Sequence, residues 1–116
     1  MRLLVVDNYA PFAASLALLL SPRHEVLCCT SAERALSLLR ADARIELVFC
    51  DLLMPGLSGL DLHRLLKAEM PGRERNLIFM TGGALSSEAE EFLSQVRWLQ
   101  KPFAPEALEG LLDERR

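Results

Sequence analysis

The sequence predicts an α/β domain in which helices cover both faces of a doubly wound, five-stranded parallel sheet with strand order 2-1-3-4-5. Five short apolar runs lack in-out alternation, which is typical of strands buried on both faces. Stretches of helical period separate these runs, and right-handed crossovers favour this strand order in a chain of 116 residues. We therefore expect a single domain spanning residues 1–116.

The apolar runs and the stripes between them give the elements in chain order. The predicted strands are Leu3–Val6, Val26–Cys28, Leu47–Cys50, Leu77–Met80 and Trp98–Leu99. Each intervening helix is predicted from one apolar stripe at helical spacing. The five stripes are Phe12, Leu16, Leu19 and Leu20; Ala32, Ala35, Leu36 and Leu39; Leu62, Leu65 and Leu66; Ala89, Phe92, Leu93 and Val96; and Leu108, Leu111 and Leu112.

Separate signals predict where the helices begin. Proline is favoured in the first turn of a helix, and a Ser or Thr followed three residues later by an acid is typical of a capping box. We expect Pro11 and Pro105 in first turns, and capping by Thr30 with Glu33, Ser58 with Asp61, and Ser87 with Glu90. The charged stretch after Pro71 is predicted to be an ordinary loop.

Composition narrows the class of protein. An apolar fraction of 51% is too high for a disordered chain, and 116 residues are enough for a core without disulfides or structural metal. A net charge of −3 with scattered basic residues argues against direct nucleic-acid binding. The longest apolar run, Leu16–Leu20, is far shorter than the roughly 20 residues of a membrane span. We expect a cytoplasmic protein with Cys28, Cys29 and Cys50 reduced in the core.

Polar residues follow the predicted strands where each one ends. Asp7 and Asn8 follow the first, Asp51 the third, and Thr81 and Lys101 the fourth and fifth. In an open α/β sheet this edge holds the ligand, and the strand order makes the first and third strands neighbours. Paired carboxylates repel unless a cation neutralises them, and an all-oxygen cluster suits Mg²⁺. Asp51 is the best candidate for a carboxylate that attacks phosphorus, with Lys101 and Thr81 holding phosphoryl oxygens.

Each of these residues also has an ordinary structural interpretation. Asp7 and Asn8 could cap the first helix, Asp51 and Thr81 could be turn residues, and Lys101 could be a solvated charge. Four such coincidences at four strand ends are less plausible than one shared site.

The residues at these positions resemble response-regulator receiver domains of bacterial two-component signalling, the CheY-like proteins, which have a flavodoxin-like fold. The resemblance rests on segments in family order and at family spacing: Leu4-Val5-Val6-Asp7-Asn8, Asp51-Leu52-Leu53-Met54-Pro55 with Gly59, Phe79-Met80-Thr81-Gly82, and Gln100-Lys101-Pro102-Phe103. Thr81-Gly82-Gly83-Ala84 is also similar to receivers of hybrid sensor kinases, so the domain is either a stand-alone protein or such a receiver.

This resemblance implies a phosphorelay function. Asp51 would accept a phosphoryl group from the phosphohistidine of a histidine kinase or histidine phosphotransfer protein, and Thr81 and Lys101 would contact that group. It implies Mg²⁺ on Asp7, Asp51 and the backbone carbonyl of Leu53, with Asn8 at an acidic-pair position, and a cis bond before Pro102. Phosphorylation would turn Thr81 and Trp98 inward and alter the surface of the fourth helix, fifth strand and fifth helix, which binds a downstream protein.

Two departures from the family pattern alter what we expect. Asn8 replaces an acid, which should lower metal affinity although its carbonyl oxygen can still coordinate. Leu53 and Gly83, each two residues after a site residue, carry no polar side chain to orient a hydrolytic water. We therefore expect slow self-dephosphorylation.

Three other functions compete with this one. A phosphatase or phosphotransferase of the haloacid dehalogenase class needs a second Asp where Leu53 stands, so we expect no enzyme activity beyond transfer to Asp51. A nucleotide-binding fold lacks its Gly-rich fingerprints here. A receiver-like interaction module that acts without phosphorylation is favoured by Asn8 and disfavoured by the intact Asp51, Thr81 and Lys101.

Overall fold

The computed structural model describes residues 1–83 and 85–114, so Ala84 of the Thr81–Ala84 stretch lies outside the described residues. Five parallel strands form one sheet in the order 2-1-3-4-5, as predicted. A 3₁₀ turn at Arg73–Asn76 precedes the fourth strand. The elements are β1 Arg2–Val6, α1 Ala10–Leu20, β2 Glu25–Cys29, α2 Ala32–Ala41, β3 Leu47–Asp51, α3 Gly59–Glu69, β4 Leu77–Thr81, α4 Ser87–Leu93, β5 Trp98–Gln100 and α5 Pro105–Glu114.

The core consists of two apolar layers, one on each face of the sheet. Alternate residues of a strand point to opposite faces, so Leu4 and Val6 of β1 enter one layer while Leu3 and Val5 enter the other. Buried residues of α2, α3 and α4 complete the first layer, and those of α1 and α5 complete the second. This arrangement leaves the carboxyl ends of the strands free to carry polar groups.

The edge strands are less buried than the sequence predicted. The central strands β1, β3 and β4 are almost wholly buried, but β2 and β5 are half-exposed because each has a neighbour on one side only. The prediction that all three cysteines lie in the core is therefore wrong for Cys28, which is exposed on β2, and for Cys29, which is half-buried. All three are free, and only Cys50 on β3 is fully buried.

Helix starts match the sequence prediction in part. Ser58 and Asp61 form the predicted reciprocal capping box of α3, and Pro11 and Pro105 lie in the first turns of α1 and α5. The other two caps are wrong by one residue. Ser31, not Thr30, accepts the Arg34 amide at α2, and Ser86, not Ser87, accepts the Ala89 amide at α4. In both places two adjacent hydroxyl residues are chemically equivalent caps.

Two further predictions need correction. Leu19 was assigned to the buried stripe of α1, but it is 51% exposed, and the buried residues there are Ala13, Leu16 and Leu20. The segment predicted as a loop before β4 contains the 3₁₀ turn, from which the Arg73 guanidinium donates to the carbonyls of Leu39 and Asp42. Charged side chains in this segment are therefore structural. In the described part of the chain no helix has the length and apolarity to cross a membrane.

Candidate functional site

The register of the sheet brings Asp7 and Asp51 together. Val6, the last residue of β1, is paired with Cys50 of the neighbouring β3, so the residues that follow them lie side by side at the carboxyl edge. The Lys101 ammonium lies 2.6 Å from Asp7 Oδ2 and 3.9 Å from Asp51 Oδ2. One cation therefore faces both carboxylates, and the three residues predicted from separate strand ends form a single cluster.

Asp7 is the innermost member of this cluster. The residue is 1% exposed, and its Oδ1 accepts the backbone N–H of Tyr9 at 2.9 Å while its Oδ2 accepts Lys101. A buried carboxylate needs such partners because desolvation strongly disfavours an isolated charge. The contact with Tyr9 also fixes the turn that leads into α1, so the alternative interpretation of Asp7 as a helix-start residue holds alongside its place in the cluster.

Asp51 is more open than Asp7. Its side chain is 14% exposed, at the end of β3. Burial raises the pKa of this carboxyl, the positive charge of Lys101 opposes that rise, and the nearby Asp7 adds to it. The balance leaves Asp51 with a raised pKa, as the less stabilised of the two carboxylates and the one within reach of a partner molecule.

Lys101 is held by contacts from several elements. Its backbone N–H donates to the Thr81 carbonyl at 2.8 Å, the following bond to Pro102 is cis, and its ammonium lies 4.3 Å from the centre of the Phe12 ring. A cation above an aromatic face is attracted by the ring. Phe12 in turn packs edge-on against Phe103, with ring centres 6.1 Å apart. These contacts keep the ammonium at the carboxylates.

Thr81 and Trp98 lie on the last two strands. Thr81 ends β4 and is 4% exposed, at the same edge of the sheet as the acidic cluster. Trp98 begins β5 opposite Phe79 of β4, and it is 39% exposed. The inward Trp98 orientation implied by the resemblance is therefore not the one in this structure.

Two glycines allow close approaches of the backbone around the cluster. A Cβ on Gly59, the first residue of α3, would lie 2.8 Å from the Asp51 carbonyl oxygen. A Cβ on Gly82 would lie 3.1 Å from Lys101 Cβ. The sequence comparison of segments included both glycines, but only the coordinates show what they approach.

The donor set around Asp7 is suited to a hard cation but carries few charges. Asp7 and Asp51 supply carboxylates, exposed Asn8 supplies an amide oxygen, and the Leu53 carbonyl follows Asp51 by two residues. These oxygen ligands fit Mg²⁺, which usually keeps several waters. Within residues 1–83 and 85–114, no cluster of three or more His, Cys, Asp or Glu could hold a metal. Asn8 is why the third acid is missing.

Phe12 is the site residue that sequence reasoning assigned incorrectly. Its spacing with Leu16 and Leu20 placed it in the buried stripe of α1, whereas the structure also puts its ring against Lys101. The two residues are distant in the chain, and no local pattern connects them. An aromatic residue near the start of α1 was the only available signal.

Comparison with known proteins gives a consistent result. The model of the response regulator receiver domain family matches residues 3–113. A response regulator receiver protein from Pseudomonas putida has 31% identity and a TM-score of 0.87, covering 97% of this chain and 95% of its own. A receiver domain protein from Clostridium thermocellum has 25% identity and a TM-score of 0.84, covering 97% and 91%.

The fold likeness extends to more distant sequences. The chemotaxis protein CheY4 of Vibrio cholerae, at 21% identity and a TM-score of 0.83, covers 97% of this chain and 96% of its own. No curated protein matches the chain in sequence. The likeness to CheY4 concerns the fold alone, whereas the family model spans nearly all of the sequence.

Proposed function

The chain belongs to the response regulator receiver domain family, and from this premise we propose that it is the phosphoacceptor of a two-component phosphorelay. Residues 1–116 act as one receiver domain, which takes a phosphoryl group on Asp51 from the phosphohistidine of a histidine kinase or histidine phosphotransfer protein. The observation that carries the proposal is the single cluster in which the Lys101 ammonium faces both Asp7 and Asp51.

The chemistry follows from the different surroundings of the two carboxylates. Asp51 is the more exposed, and one of its oxygens attacks phosphorus; the new O–P bond forms as the P–N bond to the donor imidazole breaks. The donor histidine leaves as the neutral imidazole after taking a proton. Asp7 is buried and bonded on both oxygens, so it stays in place as a fixed negative charge.

Lys101 and Thr81 receive the incoming phosphoryl group. Lys101 is already next to Asp51 and donates to the group's oxygens, with Phe12 and the Thr81 carbonyl limiting its movement. Asp7, Asp51, the Leu53 carbonyl and the amide oxygen of Asn8 would hold Mg²⁺. The ion, when bound, neutralises charge on the phosphoryl oxygens.

The response to phosphorylation passes through α4, β5 and α5. Thr81 moves toward the phosphoryl group, Trp98 turns into the space that Thr81 leaves, and the altered surface binds a downstream protein target. The exposed starting position of Trp98 supports an inward movement of this kind. A two-state surface needs only a differential contact in one state, and the Thr81 contact to the phosphoryl group provides it.

The remaining functional properties follow from the same assignment. The domain works in the cytoplasm and has no catalytic activity beyond transfer to its own Asp51. Leu53 is 51% exposed beside Asp51 but carries no polar group, so the acyl phosphate is hydrolysed slowly.

Intact-mass spectrometry with a small-molecule phosphodonor and Mg²⁺ tests the assignment. The native chain should gain the mass of one phosphoryl group, and Asp51→Asn should gain none. Asp113→Asn, an exposed site on α5, is the matched control and should behave as the native chain. An equal adduct on Asp51→Asn would refute the assignment.

A receiver-like module that acts without phosphorylation is the second candidate function. Its supporting observation is Asn8, which leaves two carboxylates where the family pattern has three. The same experiment separates the two functions, because a native chain that takes up no phosphoryl group over a range of Mg²⁺ concentrations favours this module.

A further inference from the structure

A groove lies at the edge of the sheet opposite to Asp51. It is formed by α3, the 3₁₀ turn and the end of α4, and its volume is about 630 Å³. Leu77 opens β4 and Arg97 immediately precedes β5, so the groove faces the amino ends of these strands. Pockets of roughly 300–1,000 Å³ are the usual size for small-molecule sites.

The groove collects positive charge in a chain whose net charge is −3. Lys67, Arg75 and Arg97 line it, and Glu74 is the only carboxylate among the lining residues. Arg97 donates to the Arg75 carbonyl at 3.1 Å, which holds its guanidinium beside that residue. Among residues 1–83 and 85–114, no carboxylate lies within ion-pair distance of these three cations.

Glu74 does not compensate this charge, because its carboxylate is turned to another partner. The residue is buried, and its Oε1 accepts the backbone N–H of Gly72 at 2.7 Å. A second hollow, of about 870 Å³ next to Met1, differs in this respect. There Arg2 is already paired with Asp42 and Glu25.

One wall of the groove is built from rings. His63 of α3 meets Phe92 of α4 edge-on, with ring centres 5.0 Å apart, and both rings are half-buried. Phe79 lies behind them, 5.3 Å from Phe92. A wall of this kind offers apolar contact to the body of a ligand, while the three cations offer donors to its anionic groups.

We propose that this groove is a binding site for a small organic or inorganic polyanion with two or more phosphate or carboxylate groups. Guanidinium groups match both kinds of anion because their paired N–H donors align with two oxygens. The concave shape favours a small ligand over an extended acidic segment of a protein, which needs a longer surface. The site is separate from Asp51 and does not depend on its phosphorylation.

Titration of the ¹⁵N-labelled native chain with pyrophosphate or with citrate tests the proposal. We expect saturable amide shift changes at Lys67, Arg75 and Arg97 at ligand concentrations below about 10 mM. Saturation by pyrophosphate alone assigns the site to phosphates, and saturation by citrate alone assigns it to carboxylates. Changes confined to Thr81 and Lys101, or no saturation with either anion, would overturn the proposal.

Charge variants distinguish a specific site from general attraction. Arg75→Gln with Arg97→Gln should weaken binding by at least about tenfold, since each removes a charged donor. Arg34→Gln with Arg44→Gln changes the net charge equally at exposed positions elsewhere and should leave the affinity unchanged. Equal losses in the two double variants would contradict the site, and thermal unfolding of each variant verifies that it is folded. Loss of phosphorylation at Asp51 would not alter either result.

Discussion

Asn8 is the residue that most sets the electrostatics of the acidic cluster. It stands next to Asp7 and leaves two carboxylates and one lysine at this edge of the sheet. Because affinity for a hard divalent cation rises with the charge of its ligands, Asn8→Asp should tighten Mg²⁺ binding by roughly tenfold. Calorimetric titration with Mg²⁺ measures this change.

Asn76→Asp is the control for the Asn8 variant. It adds the same charge just before β4, at the far edge of the sheet from Asp7, and should leave Mg²⁺ affinity unchanged. If both substitutions tighten binding equally, the gain comes from net charge and Asn8 has no direct part in the site.

His63 links pH to stability through its burial between rings. Burial lowers the pKa of this imidazole, Lys67 lowers it further, and Glu74 opposes them. The unfolded chain therefore binds a proton more readily than the folded chain does. The stabilising contribution is present above the unfolded pKa of about 6.5 and is lost as the pH falls through the lower folded pKa.

Replacement of His63 by Phe should make stability less dependent on pH across this window. A Phe ring can keep the contacts with Phe92 and Phe79 but takes up no proton. Urea unfolding of both proteins above and below about pH 6.5 measures the effect. An identical loss of stability on acidification in the two proteins would show that His63 is not the group responsible.

The start of α3 is the element most tightly fitted to the candidate site. A Cβ on Gly59 would lie 2.8 Å from the Asp51 carbonyl oxygen and 3.0 Å from Leu52 Cα, both backbone atoms that cannot rotate away. We expect Gly59→Ala to lower the free energy of unfolding by about 1–3 kcal/mol, as overpacking does. Chemical denaturation measures the loss.

Gly110 provides the matched control for this substitution. It lies within α5, and a Cβ there meets no heavy atom within 4 Å. Because Ala is favoured over Gly in a helix interior, Gly110→Ala should raise stability by about 0.5–1 kcal/mol. A gain at Gly59, or equal effects at the two positions, would mean that the close approach to Asp51 is unimportant.

Predictability from sequence differed among elements for identifiable reasons. β1, β3 and β4 were predicted within one residue because their burial on both faces gives continuous apolar runs. The caps Ser31 and Ser86 were missed because each has a hydroxyl neighbour, and local spacing cannot choose between them. The 3₁₀ turn was missed because Arg73 and Glu74 act through partners that no local pattern reveals.

The candidate site shows the same division between local and distant information. Asp7, Asp51, Thr81 and Lys101 could be predicted because each ends a strand, and topology alone brings strand ends to one edge. The ion pair of Lys101 with Asp7 and the Phe12 ring below its ammonium could not be predicted. Both depend on side-chain directions across residues that are far apart in the chain.

At the scale of the whole molecule, Trp98 offers a direct optical measure of coupling. It is the only tryptophan of the chain and is 39% exposed. If phosphorylation draws Thr81 toward Asp51 and Trp98 inward, quenching of its fluorescence by acrylamide should decrease after phosphodonor is added. Steady-state quenching in the presence of Mg²⁺ measures this decrease.

Two variants make the Trp98 experiment specific. Asp51→Asn should show no change in quenching, and Thr81→Ala should take up the phosphoryl group with a smaller change, because no hydroxyl links the site to Trp98. A full change in Thr81→Ala would show that Trp98 responds by a route other than Thr81.

Arg73 has a consequence for how the molecule can be divided. Its guanidinium, in the second half of the chain, donates to the carbonyls of Leu39 and Asp42 at the end of α2. Helix ends leave carbonyls without intrahelical partners, and a cation suits that end of the helix dipole. A fragment cut after β3 would keep α2 but lose its terminal cap, and the other fragment would carry the unpaired guanidinium. The two pieces are therefore complementary halves, and the last turn of α2 is completed only when they associate.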